Sequence, residues 1–108
     1  KIIADSAELK LDTVIPELKG PLGEVLLTPT KIYAKVTVSL ARDFNIKGMA
    51  HITGGGIPGN CVRILPRPAA VRVKKDSWDL PPVFRFFREK GNLSEEELVR
   101  TFNCGVGM

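Results

Sequence analysis

At 108 residues, 44% hydrophobic and 26% charged, the chain has room for one domain (1–108) with a single modest core. Its mean hydropathy of +0.03 is that of a globular chain. No apolar run nears the roughly 20 residues that span a bilayer, so no membrane partner is expected. Two well-separated cysteines and one histidine argue against a zinc site made by this chain alone, and the expectation for metal is none.

The start, Lys1-Ile2-Ile3, has neither a signal-like run nor an initiator methionine, which predicts a fragment or processed piece with its thiols reduced in a cytoplasmic setting. Residues 1–30 read as an irregular entry. Pro16, Gly20, Pro21 and Gly23 interrupt the apolar positions, leaving space for one helical turn over Gly23 to Leu27. Over 31–43, Ile32, Ala34, Val36, Val38 and Leu40 alternate with polar neighbours and Tyr33, a period of two that favours a strand. Tyr33, Val36 and Leu40 also share a helical face, but the β-branched residues weigh against helix.

Residues 46–53 read as a strand, with Met49, His51 and Thr53 on one face and Ala50 and Ile52 on the other. It opens into Gly54-Gly55-Gly56-Ile57-Pro58-Gly59-Asn60. Three glycines in a row weaken any regular element. They serve where backbone must reach positive φ or approach another group closely. Backbone N–H groups around such a turn suit phosphate; a flexible connector is the other reading. Asn60 is expected to cap a short helix that ends at Pro66.

Ala69 to Lys74 alternates as a strand with Val71 and Val73 inward. Arg63, Arg67, Arg72, Lys74 and Lys75 precede the next acid, Asp76. No aromatic interleaves this basic block, so a solvated strand edge or a positive rim for a phosphorylated small molecule fits better than a nucleic-acid face. From Ser77 the chain opens a helix with Leu80, Val83, Phe84 and Phe87 as its apolar stripe and Gly91 as its stop. A second helix starts at Ser94 with a capping box completed by Glu97; Leu98, Val99 and Phe102 form its buried side. Glu95 to Glu97 are explained by the positive helix end, without a metal. The terminal Asn103-Cys104-Gly105-Val106-Gly107-Met108 reads as the start of a tightly packed strand.

The residues alone reach an α/β domain with a glycine loop suited to phosphate. The words Gly48-Met49-Ala50-His51-Ile52-Thr53-Gly54-Gly55-Gly56 and Asn60-Cys61-Val62-Arg63-Ile64-Leu65-Pro66 closely resemble the signature of the aminoimidazole ribonucleotide synthetase family, also called PurM. Leu26 to Tyr33, Ser77-Trp78 and Thr101 to Met108 agree with it in order and spacing. Cys104 departs, standing where methionine is common. The resemblance covers the carboxyl-terminal half of such an enzyme and implies a three-layer α/β/α domain (α+β) with a mixed sheet. It also implies that 31–43 begins extended and turns helical towards Arg42.

The implied activity is ATP-dependent ring closure of formylglycinamidine ribonucleotide in purine biosynthesis. ATP and Mg²⁺ would be held mainly by an amino-terminal domain not represented here, in a protein that is a homodimer when full length. This chain alone is then expected to be inactive. Thr53, Gly54, Gly55, Gly56, Asn60 and Arg63 would bind substrate or phosphate, with Asn60 orienting either the loop or a ligand and Arg63 equally suited to a structural ion pair. His51 would polarise the reacting amide or hold a phosphate oxygen; hydrogen bonding to backbone at a strand end is its other reading. A non-catalytic phosphate-ligand or interaction module of the same superfamily is the alternative function.

Overall fold

The computed structural model describes residues 9–108; the Lys1-Ile2-Ile3 reading lies outside them. A short hairpin comes first. β1 (Val14–Ile15) pairs antiparallel with β2 (Gly20–Pro21), placing Val14 opposite Pro21 and Ile15 opposite Gly20. A 3₁₀ turn over Pro16–Leu18 joins them, with Pro16 in its first turn, where a missing N–H costs nothing. One turn of helix, α1 (Leu22–Leu26), follows, close to the expected Gly23–Leu27. Ile15 and the fully buried Leu22 meet Phe86 from far along the chain. Leu9, Leu18 and Phe87 pack around that cluster.

Residues 34–43 form a helix, α2 (Ala34–Asp43), which overturns the strand favoured by the period of two. The Thr37 hydroxyl bonds the carbonyls of Tyr33 and Ala34 at 3.0 Å each, a local bond that a strand does not offer. The alternation misled because none of the helix is buried: Val36, Val38 and Leu40 all stand substantially in solvent.

Residues 46–53 form neither helix nor strand, and burial alternates as expected from Met49 to Thr53, with Ile52 buried and His51 exposed. The backbone does not enter a ladder; its one long-range backbone bond among the described residues runs from Ile52 N–H to the Gly107 carbonyl at 2.9 Å. Residues 69–74 also lie outside any ladder, and Val71 and Val73 are exposed rather than inward. Among the described residues the sheet is therefore the two-stranded hairpin, within a mixed α+β chain. The Cα radius of gyration is 16.3 Å, against about 13 Å for a compact domain of this size.

The helix after the loop, α3 (Gly56–Cys61), starts earlier than expected, so Asn60 lies near its end and Gly55 is its cap. α4 (Pro82–Lys90) follows the 3₁₀ turn Lys75–Ser77. Its buried residue is Phe86, which the expected stripe omitted. Phe84 and Phe87 face Phe102 instead, with Phe87 stacked on it at 5.3 Å. Gly91 occupies the helix end in a right-handed conformation. Asn92, at φ 47, makes the left-handed turn, with Asn92 N–H bonding Glu89 O and Leu93 N–H bonding Arg88 O. α5 (Glu95–Thr101) begins as expected, the Ser94 hydroxyl accepting from Glu97 N–H at 3.2 Å. Its Leu98 is buried at 2% exposure, and the helix packs against α3.

Candidate functional site

The three glycines do three different things. Gly54 is exposed, with a φ any residue accepts and open space where a side chain would stand. Gly55 turns the chain at φ 95, which an L side chain adopts only under strain. Gly56 is buried, at φ 59, and a Cβ there would overlap the Val99 carbonyl oxygen. Its lack of a side chain lets α3 approach the backbone of α5, so this glycine seats the loop instead of facing a ligand.

Asn60 explains the loop's shape. At 4% exposure its carboxamide donates to the Gly56 carbonyl at 2.8 Å and to those of Thr53 and Gly54 at 3.3 Å each. Two N–H groups shared over three acceptors tie the two ends of the turn together. The Thr53 carbonyl also accepts from Gly56 N–H at 3.0 Å, and Gly59 N–H returns to Gly55 O at 3.0 Å. With these carbonyls turned inward, the N–H groups of Gly54 and Gly55 have no backbone acceptor among the described residues and sit on an exposed turn. Backbone donors left free on an exposed turn are a feature that anion sites use.

Of the other expected site residues, Thr53 and His51 are exposed beside the loop. The His51 ring lies edge-on to Tyr33, centroids 6.2 Å apart at 63°. Nothing in the sequence marks Tyr33 as a site residue; its proximity to His51 joins positions 18 residues apart and has no local signal. Arg63 follows the loop, its N–H bonding the Asn60 carbonyl at 3.2 Å. It lines a separate hollow of about 490 Å³ with Lys47, Gly48, Ile64, Leu65 and Pro66, and makes no ion pair among the described residues.

A larger cavity, of about 610 Å³, lies under α3 and α5, lined by Ile57, Val71, Val73, Trp78, Leu98 and Cys104 among others. Neither His51 nor the glycines line it. The Trp78 indole N–H bonds the Cys104 carbonyl at 2.9 Å, anchoring the segment before α4 to the turn after α5. Burial pushes the Cys104 thiol pKa up, and its Sγ lies 3.7 Å from the Phe102 carbonyl. The glutamates of α5 diverge: Glu95 pairs with Lys75 at 2.6 Å, and Glu96 with Arg100 at 3.4 Å. Hydrogen bonding and charge from Lys75 hold the Glu95 carboxyl below its ordinary range. Among the described residues no three His, Cys, Asp or Glu gather as metal ligands, and no helix is long and apolar enough to cross a membrane.

The glycine turn packs its short helix onto a second helix within a mixed α+β domain. The family described as AIR synthase related protein, C-terminal domain, matches residues 1–108, and the chain belongs to it. It is 48% identical to a phosphoribosylformylglycinamidine cyclo-ligase of Citrifermentans bemidjiense, 51% to one of Geobacillus thermodenitrificans and 49% to one of Geotalea uraniireducens. Each match covers 100% of this chain and 31% of the relative, so the chain spans about a third of their length.

Proposed function

We propose that this chain is the carboxyl-terminal part of a phosphoribosylformylglycinamidine cyclo-ligase, a cytoplasmic, homodimeric enzyme that closes the imidazole ring of formylglycinamidine ribonucleotide. Its contribution is to hold a phosphate of the substrate or of the activated intermediate. The observation that carries this reading is the Asn60-clamped turn, which leaves the N–H groups of the exposed Gly54 and Gly55 without a backbone acceptor among the described residues. In the reaction, phosphoryl transfer activates the formyl oxygen. An intramolecular nitrogen then attacks that carbon and phosphate leaves with the oxygen. Such chemistry depends on positioning and on donors aimed at developing charge. Fixed backbone N–H groups supply both without reorganising. His51, exposed beside the turn, is the side chain placed to meet the reacting amide or a phosphate oxygen.

The described residues do not fit Mg²⁺, since their carboxylates are dispersed and Glu95 and Glu96 are paired with cations. ATP and its metal are therefore assigned to another part of the protein, and the three-layer α/β/α arrangement implied for this domain is proposed for it within the full-length enzyme. The test is ADP release by the chain alone and mixed with a separately made ATP-binding part; activity only in the mixture is expected. Gly54→Ala sharpens it, because the added methyl meets nothing within 4 Å and the fold should be untouched. Phosphate binding, read at the Gly54 and Gly55 amides in the wild type, should then fall at least about tenfold as the methyl crowds the anion's approach. Unchanged binding in the folded variant would place the anion elsewhere.

A further inference from the structure

Tyr33 is held on three sides. Its hydroxyl end lies against the backbone of Gly107, where a Cβ would overlap the phenol oxygen. The Lys31 ammonium stands over its ring face, 6.0 Å from the centroid. Its remaining contact is the His51 imidazole, edge-on at 6.2 Å and 63°, a geometry aromatic pairs favour. The same Gly107 accepts the Ile52 N–H bond at 2.9 Å, one residue from His51, so the wall behind the tyrosine and the backbone bearing the histidine are tied together. Tyr33 is half-buried and is also the cap of α2, which limits its freedom, whereas His51 is exposed. An exposed histidine with no such neighbour would sample several rotamers.

We infer that Tyr33 is a positioning residue for His51: its ring, seated against Gly107, fixes the imidazole in one orientation beside the glycine turn. Gly107 is then required to be glycine by the phenol it faces. The functional value of this positioning rests on the proposal that His51 meets the ligand; the contact itself does not.

The chain has one histidine, so its imidazole proton resonances are unambiguous reporters. In the unsubstituted chain, nuclear Overhauser contacts should join the Tyr33 ring to the His51 ring. Tyr33→Leu should abolish the ring-current displacement of the His51 resonances, while Tyr33→Phe, which keeps the ring, should preserve it. Titration with inorganic phosphate adds the functional readout. Tyr33→Leu should at least halve the phosphate-induced shift at His51 and leave the Gly54 and Gly55 amide responses intact. Absence of the Overhauser contacts, or a folded Tyr33→Leu chain with unaltered His51 resonances, would overturn the inference. If the contacts and ring-current effect are present but no loop amide responds to phosphate, positioning stands and the phosphate reading falls.

Discussion

The glycine turn with α3 and α5, and the arm formed by α2 and its flanks, carry comparable apolar content and use it in opposite ways. At the turn, Gly56 lets two helices approach backbone to backbone, and Ile52, Ile57, Leu98 and Cys104 are buried in that part of the chain. In the arm, Ile32, Val36, Val38 and Phe44 remain 84%, 48%, 53% and 62% exposed, and the helix buries nothing. An apolar stripe stabilises only when a partner surface comes within contact distance. At α3 a missing side chain grants that approach; at α2 the described residues supply no such surface. Rigidity is thus concentrated where the candidate site is seated, with Tyr33 linking the arm to it.

The largest expected effect is that of Gly56→Ala, which combines a clash with the Val99 carbonyl and a side chain at φ 59. Overpacking and backbone strain together should destabilise by about 3 kcal/mol or more, read as a lowered urea midpoint. A midpoint like the wild type's would mean that α3 and α5 are not in close contact. Next comes Leu98→Ala, expected to lose about 2–4 kcal/mol because the side chain is buried at 2% exposure. Ser94→Ala should cost about 1 kcal/mol through the lost helix cap. For contrast, Val38→Ala in the exposed arm should change stability by no more than about 0.5 kcal/mol. A loss comparable with that of Leu98→Ala would show that the arm is covered in solution, for instance by self-association, which a concentration series would reveal.

Smaller still is the Lys75–Glu95 pair, whose side chains are 61% and 55% exposed. Because the folded carboxyl titrates below its unfolded value, its contribution is complete above the unfolded pKa. It disappears as pH falls through the folded pKa. Lys75→Met should therefore have a slight effect at neutral pH and none in acid, and added salt should erase even that. The thiols offer a parallel check, since Cys104 is buried with a raised pKa while Cys61 is partly accessible. A thiol-alkylating reagent at neutral pH should label Cys61 first, and labelling of Cys104 at an equal rate would indicate that the turn after α5 opens readily.

What the sequence determined by itself was local. The Ser94 cap with its acidic first turn, the alternation that turns Ile52 inward and the position of the glycine turn all depend on neighbours within four residues. The family, too, was legible, because its words are contiguous runs. Among the readings that failed, three show how packing and side-chain direction escape a local pattern. Asn60 was expected to begin a helix, yet its carboxamide turns back to the Thr53, Gly54 and Gly56 carbonyls. Phe86 falls off the expected stripe, yet it is the residue of α4 that reaches Leu22 and Ile15. Residues 34–43 alternate like a strand but fold as a helix, because an unburied segment is under little pressure to match its apolar period to its backbone. Only the tertiary structure distinguished the three glycines and set Tyr33 against Gly107. Propensity and capping act along the chain, whereas each of these outcomes is a steric event between groups that the chain brings together only when folded.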